Sequence, residues 1–452
     1  MKAINPATGQ ILREFRQHSN DQIEERLEAA TASFATWRKV AFSERATKMR
    51  AAAQILRENA PQYGRLITEE MGKPIRQSVA EVEKCAWVCE YYADHAEEFL
   101  APRPVETDAS QSYVRYDPLG PVLAIMPWNF PFWQLFRFAA PALMAGNVGL
   151  LKHSANVPGC ALAIGEIFLQ ADFPPGVMST LLVGSEKVND IIADPRIRAV
   201  TLTGSEAAGR SVASQAGRNL KKTVLELGGS DPFIVLADVD VAEVTARAVQ
   251  GRTINTGQSC IAAKRFLVEE TIADQFEAAF VEQMKQLRIG DPLNDETDIG
   301  PLAREDLCRD LHNQVQRSIA AGAKLVLGGK RLDRPGFYYA PTVLTDVKPG
   351  MAVFDEETFG PVAAVTRVRD ACHAVELANQ SPYGLGASIH TRDEQLAHEL
   401  AANIESGFVA INGIVKSDPR LPFGGVKNSG YGRELADVGI YEFVNIKSVW
   451  SS

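Results

Sequence analysis

Short apolar runs alternate with helical stretches from about residue 120 to about residue 418, and this alternation narrows the possible folds more than any other feature. VLAIMP, VGLLK, TLLVG, AVTLTG and TVLELGG read as strands. WQLFRFAAPALMAG, a segment from about Val157 to Gln170 and one from Ser205 read as helices. A second block starts near Asp231 with FIVL, then a helix through VAEVTARAVQG, RFLVEE, the helix DQFEAAFVEQMKQL, and AKLVLGG, PTVL, AAVTRV and GASIHT. Strands that alternate with helices build parallel, doubly wound sheets, with ligands at the carboxyl ends of the strands. The prediction is therefore an α/β protein with two α/β blocks joined near Gly228-Gly229.

Before these blocks, the first hundred residues read as helices. Asn20-Asp21 caps the first, Ser43-Glu44 opens a second, and a long helical pattern follows Gly72-Lys73-Pro74. SYVRYDPLG near 110–117 and the tail FVNIKSVW lie outside both blocks and are predicted to pair as a small separate sheet. The expected units are 1–104 with 118–228, 229–430, and 105–117 with 431–452. At roughly 150 residues per domain, 452 residues accommodate three such units.

The charge balance of 47 basic against 56 acidic residues leaves no overall basic footprint for nucleic acid or an anionic membrane. The most apolar stretch, FRFAAPALMAGNVGLLK, is broken by Arg137, Pro141 and Asn147, so no membrane span is expected. Six scattered cysteines fit a reducing, cytoplasmic setting better than a disulfide framework. No metal site is expected, because the seven histidines form no H-x-x-x-H pattern and no C-x-x-C occurs. Cys85 and Cys89 share a helix face beside Trp87 and Val88, which reads as packed core.

Three residues stand where chemistry is done. Cys260 in NTGQSCIA sits at a loop-to-strand junction, where a thiol reaches a cleft as a nucleophile; a buried structural thiol fits the same position. Glu226 ends the apolar run of VLELGG at a carboxyl edge, placed to act as a base if its pKa is raised; a capping or solvent-facing acid is the alternative. Asn129 in IMPWNFPFW lies in a loop stiffened by two prolines, as an oxyanion donor requires, although an Asx turn also fits. TGSEAAG closes a strand and opens a helix whose N-terminus can face a phosphate. Neither G-x-G-x-x-G nor a Walker A motif is present.

PWNFP, LTGS, LELGGSDP, NTGQSC, EETFGPV and FGGVKNSGYGRE, in this order, resemble the aldehyde dehydrogenase superfamily over essentially the whole chain. LAIMPWNFPFWQ, LLKHSAN, GQSCIAAKRF and VKSDPRLPFGG look most like its bacterial succinate-semialdehyde dehydrogenase group. The resemblance implies a Rossmann-like cofactor domain, a catalytic α/β domain and a small β oligomerisation element, hence a homodimer or homotetramer. It implies that Cys260 is the nucleophile, Glu226 the general base and Asn129 the oxyanion donor. For NADP or NAD it implies contacts from Trp128, Lys152, Ser154, Ala155, Gly184, Ser205, Leu227, Glu357 and Phe359. Many NAD-preferring members carry an acid where this chain has Ala155, so NADP is expected to serve at least as well as NAD.

The expected substrate is a small aldehyde with a remote carboxylate, succinic semialdehyde first and glutaric semialdehyde second. Arg137 is expected to fork onto that carboxylate, Ser417 to add a hydroxyl, and Trp133 and Phe423 to supply apolar walls. The competing reading gives Arg137 to an internal salt bridge with an acid such as Asp231. A non-catalytic protein on this scaffold, or a cysteine esterase without a nicotinamide, is disfavoured by the joint presence of the three reactive residues and the cofactor set.

Overall fold

Val122–Ala124, Leu150–Leu151 and Ala199–Val200 are fully buried apolar runs, as expected of parallel strands covered by helices on both faces. They belong to a six-stranded sheet in a computed structural model that describes residues 1–452. Its order is Met178–Thr180, Val148–His153, Pro121–Met126, Ala199–Thr203, Lys222–Glu226 and Gly430–Tyr431. The first five are parallel, with Pro121 opposite Val148 and Thr203 opposite Glu226. Strand order reverses at Pro121–Met126, so the crevice beyond its carboxyl end, where Trp128 and Asn129 lie, is the topological switch point.

The second sheet has seven strands, in the order Lys324–Leu327, Thr342–Thr345, Val362–Val368, Ala263–Glu269, Asp231–Val235, Gly386–His390 and Phe408–Ile411. Only Lys324–Leu327 runs antiparallel. Leu227–Ser230 bridges the two sheets. A third sheet pairs Val444–Ser451 with Gln111–Pro118 from Val444 opposite Pro118 to Ser451 opposite Gln111, and adds Arg103–Pro104. No helix is long and apolar enough to cross a membrane.

Several boundaries differ from the sequence reading. Ser19, not Asn20-Asp21, caps the helix Asn20–Trp37, in a reciprocal pair with Gln22 at 3.3 and 3.0 Å. The second helix starts at Phe42 without a side-chain cap, ahead of Ser43. Pro61 and the left-handed Gly72 (φ 82°) delimit an additional helix, Ala60–Met71. TLLVG is strand only to Thr180, because Leu181 N–H turns to Leu151 O and Val183 N–H to Leu181 O. The helices Glu305–Ala320, Ala371–Asn379 and Glu394–Ala401, the strand Phe408–Ile411 and an N-terminal pair, Lys2–Ile4 with Ile11–Glu14, had no reading.

After the second sheet the chain comes back to the first. Gly430–Tyr431 lies antiparallel to Leu225–Glu226, and Gly430 packs so closely on Leu225 that a side chain there would collide. Only from Val444 does the tail join the third sheet.

Candidate active site

Cys260 sits on a cavity of about 400 Å³ between the two sheets. The helix Ile75–Phe99 contributes Gln77, Glu81 and Lys84 to its wall, and the helix Trp133–Met144 contributes Trp133, Gln134 and Arg137. Thr253–Ile254, Ser259–Ile261 and the Ile414–Phe423 segment close it. Among these groups Lys416 is exposed, whereas Arg137 and Trp133 are buried.

The loop that presents Cys260 is strained. Asn255, Thr256 and Gly257 have consecutive positive φ values of 51, 57 and 78°, a conformation costing about 1–3 kcal/mol per non-glycine residue unless neighbours enforce it. The neighbours do so. Asn255 N–H donates to Gln77 Oε1 at 2.7 Å, its side-chain amide donates to Asn129 O at 2.8 Å, and Thr256 Oγ1 accepts from Gly300 N–H at 3.0 Å. Lys264 Nζ donates to the carbonyls of Cys260 and Ser259 at 2.8 and 3.1 Å. Gly229 passes so close that a Cβ would stand 2.7 Å from Cys260 O.

The thiol is partly exposed through the cavity, yet the surrounding protein pushes its pKa up to about 12, with Lys264 and Arg137 pulling against this. The Cys260 N–H donates to no protein group. Asn129 donates one amide N–H to Gln258 O at 3.2 Å, leaving its second N–H uncommitted.

Glu226 ends its strand, buried, with neither carboxylate oxygen hydrogen-bonded. Burial, reinforced by Glu434, holds its pKa well above the usual carboxylate range; Arg137 and Arg433 oppose. It stands behind the cavity wall rather than in it, 2.8 Å from where a Cβ on Gly424 would lie.

At the strand ends of the first sheet, Ser205 caps the helix Glu206–Arg218 and accepts from Ala208 N–H at 3.3 Å. Gly209 in that helix lies under Leu227, so a Cβ would come within 2.6 Å of it. Lys152 ends the strand Val148–His153; burial lowers its pKa and Glu186 partly restores it. Ser154 donates from Oγ to Asn156 at 2.7 Å, Ala155 is exposed, and Gly184 opens the turn Ser185–Lys187. Glu357 accepts from Gly229 N–H at 2.9 Å and lies 3.7 Å from Lys264, while Phe359 meets Trp128 edge to face at 5.7 Å. This set fits a dinucleotide: free helix N–H groups for the pyrophosphate, a close glycine contact below, and acceptors for ribose hydroxyls on both sides.

Residues 1–449 match the aldehyde dehydrogenase family. The chain belongs to the aldehyde dehydrogenase family.

Within this family it is 54% identical over 447 residues, 99% of this chain and 98% of the relative, to a Synechocystis protein named as a probable succinate-semialdehyde dehydrogenase (NADP(+)). It is 50% identical to the succinate semialdehyde dehydrogenase (NAD(P)+) Sad of Escherichia coli, covering 99% and 97% of the two chains. The solved structure of succinic semialdehyde dehydrogenase from Streptococcus pyogenes with NADP+ superposes with a TM-score of 0.97 at 38% identity, over 99% of each chain.

The aldehyde dehydrogenase cavity brings Cys260, Trp133, Arg137, Ser417 and Phe423 together and leaves Glu226 and Asn129 just outside its wall. Arg137 is not the free cation the sequence suggested. It forms a buried ion pair with Glu434, whose carboxylate lies off the Nε–H axis, and its Nη2 reaches Thr203 Oγ1 at 3.4 Å. The competing reading had named Asp231 as the acid, but Asp231 instead accepts from Gly386 N–H at 3.1 Å. Sequence reasoning missed Lys84, whose Nζ donates to Ser417 Oγ at 2.8 Å and sits 4.2 Å from the Trp133 ring centroid. It also missed the buried Lys73–Glu81 pair, in which Glu81 accepts from the N–H groups of Phe132 and Trp133 at 2.9 and 3.0 Å.

Proposed function

We propose that this aldehyde dehydrogenase oxidises succinic semialdehyde, or a short aldehyde with the same remote carboxylate such as glutaric semialdehyde, to the carboxylic acid with NADP or NAD. One observation carries the reading: the cavity beside Cys260 has apolar walls and two cations without an acidic partner, Lys84 and Lys416, while Arg137 is paired with Glu434 and the one acid of the lining, Glu81, with Lys73. A short apolar chain ending in an anion complements that lining.

Cys260 gives its thiol proton to water in the cavity as Sγ bonds to the aldehyde carbon and the C=O π pair moves onto oxygen, forming a thiohemiacetal oxyanion. The developing oxyanion takes the uncommitted N–H of Asn129 and the Cys260 N–H, donors fixed beforehand by the Asn255–Gln258 contacts. Trp128, Lys152, Ser205, Glu357 and Phe359 would hold the dinucleotide, which when bound would supply the hydride acceptor that turns the thiohemiacetal into a thioester. Glu226 then takes a proton from water as the water attacks the resulting thioester, releasing the acid and restoring Cys260. A carboxyl with a raised pKa is matched to that role near neutral pH.

The third sheet leaves Val444–Ser451 as an edge strand with Ile446 and Trp450 exposed, which supports pairing of copies into a dimer or tetramer. Six free thiols support work in a reducing compartment such as the cytoplasm.

A steady-state matrix of succinic semialdehyde, glutaric semialdehyde and butanal against NADP and NAD tests the reading. The expected result is a kcat/KM for succinic semialdehyde at least tenfold above butanal, with NADP serving at least as well as NAD. Equal values for the two aldehydes overturn the substrate, and a hundredfold advantage for NAD overturns the cofactor.

A further inference from the structure

We infer that the buried Lys73–Glu81 ion pair positions the oxyanion site by fixing residues 129–133, so that the uncommitted N–H of Asn129 faces the carbon that Cys260 attacks; this rests on the oxyanion role proposed above for Asn129 and deepens it.

Residues 129–133 carry the chain from the loop after the strand Pro121–Met126 into the helix Trp133–Met144, and neighbours hold every one of them. Asn129 O accepts from the Asn255 side-chain amide at 2.8 Å. Lys73 Nζ lies over the Phe130 ring, 3.6 Å from its centroid. Pro131 O accepts from His153 Nε2 at 2.9 Å. Burial pushes the His153 pKa down to about 4, and its Nδ1 accepts from Ser154 N–H, so the neutral ring carries its proton on Nε2. The N–H groups of Phe132 and Trp133 donate to Glu81 Oε1 at 2.9 and 3.0 Å. They are the leading N–H groups of a helix that has no side-chain cap of its own, the place where a carboxylate is most favoured.

Glu81 lines the cavity, but both of its oxygens are engaged, Oε1 by the two N–H groups and Oε2 by Lys73. It is therefore spare neither as a base nor as a ligand for substrate. Both side chains of the pair are buried, and a pair so buried adds little to stability, because desolvating two ions offsets their attraction. What it supplies is geometry.

The same stretch reaches the nucleophile. Gly72 packs so closely on Gly300 that a side chain on Gly300 would meet Gly72 O, and Gly300 N–H donates to Thr256 Oγ1 at 3.0 Å. Gln77, in the first turn of the helix Ile75–Phe99, accepts from Asn255 N–H at 2.7 Å. Residues 72–81 thus touch the loop of Cys260 at one end and the loop of Asn129 at the other, and set the distance between them.

Two reactions of one thiol separate positioning from support of the fold. Addition to an aldehyde moves the C=O π pair onto oxygen and draws on the Asn129 N–H. Alkylation by iodoacetamide forms a C–S bond as iodide leaves with the C–I pair and the thiol proton passes to solvent, and it creates no oxyanion. The experiment measures three quantities on the full-length enzyme: the first-turnover rate of NADPH formation from saturating succinic semialdehyde, the rate of Cys260 alkylation by iodoacetamide followed by peptide mass, and the Kd for NADP by fluorescence.

Lys73→Met/Glu81→Leu removes both charges together. It should lower the first-turnover rate about tenfold to a hundredfold, the scale of a donor displaced by about 1 Å, and leave alkylation and Kd within about threefold. Lys73→Met/Glu81→Gln, whose amide oxygen still accepts from Phe132 and Trp133, should regain most of the rate. Glu81→Asp keeps Lys73 paired and draws the two N–H groups back by one methylene; it should cost about threefold to tenfold and serves where the double variants do not fold. An unchanged first turnover in a folded variant overturns the assignment. So does a loss shared equally by alkylation and NADP binding, which makes the pair a support of the fold alone. Asn129→Ala is the control: if it leaves the first turnover within about threefold, the oxyanion role of Asn129 itself falls, whereas if only Asn129→Ala is slow, that role stands and the Lys73–Glu81 assignment falls.

Discussion

On the dinucleotide side of Cys260, the candidate groups follow the carboxyl ends of neighbouring strands: Trp128 and Asn129 after Met126, Lys152 at its strand end, Ser205 after Thr203, and Leu227 after Glu226. On the aldehyde side they come from side chains of separate segments, with Lys84 and Ser417 meeting across 333 residues of sequence. The first side is positioned by the strand ends themselves and depends on close approach, as at Gly209 under Leu227. The second is built from side chains whose charges must balance one another, so a single substitution redistributes the field of the whole cavity.

Cys260 is the point both sides share. Cys260→Ala should reduce aldehyde oxidation by about 10⁴-fold or more with every aldehyde and with either dinucleotide, while dinucleotide binding measured by fluorescence persists. Loss of binding as well would mean the two sides are not separable. Glu226→Gln should slow steady-state turnover by about 10²–10⁴-fold and leave a thioester on Cys260 visible by intact mass.

The same substitution should stabilise the protein. Because the folded-state pKa of Glu226 is raised, the stability linked to this group is fully present below its unfolded pKa and is lost as pH rises through the folded value. The gain in Tm from Glu226→Gln should therefore be absent near pH 4 and grow to roughly 1–3 °C at pH 8, in thermal denaturation. A Tm that falls at pH 8 would show that Glu226 has partners in solution that its unbonded oxygens do not reveal.

The smallest effect is confined to the dinucleotide side. Ala155→Asp should lower the NADP-to-NAD ratio of kcat/KM about tenfold to a hundredfold by setting a carboxylate against the 2′-phosphate. It should leave the preference between succinic semialdehyde and butanal within twofold. A change in aldehyde preference would show that the two sides are coupled.

This contrast also governs what the sequence revealed. Strand ends and glycine turns are local signals, and the alternation that predicts two parallel sheets also places Asn129, Ser205 and Glu226 at their edges. Lys84 carries no such signal: within EVEKCAWVCEYY it reads as one more charge on a helix, and nothing local links it to Ser417. Arg137 was conspicuous as a charge in an apolar helix, but its partner is Glu434, close to the end of the chain. The left-handed Asn255 and Thr256 were hidden because only Gly257 advertises a turn, while the enforcing contacts come from Gln77 and Gly300. Of the second-block helices without a sequence reading, Ala371–Asn379 and Glu394–Ala401 are short, whereas Glu305–Ala320 buries Cys308, Leu311 and Val315 at helical spacing, a pattern legible in the sequence.

The path of the chain after Tyr431 has a consequence for biogenesis. The first sheet receives its last strand, Gly430–Tyr431, and the Arg137 side chain its counter-charge, Glu434, from the final stretch to be synthesised. The amino-terminal domain emerges first yet lacks both until translation is nearly complete. During that interval Leu225 and Glu226 form an open sheet edge, and Arg137 lacks both Phe423 over its face and its counter-charge Glu434. Folding on the ribosome therefore cannot finish domain by domain, and a nascent chain stalled before residue 430 should remain a client of chaperones.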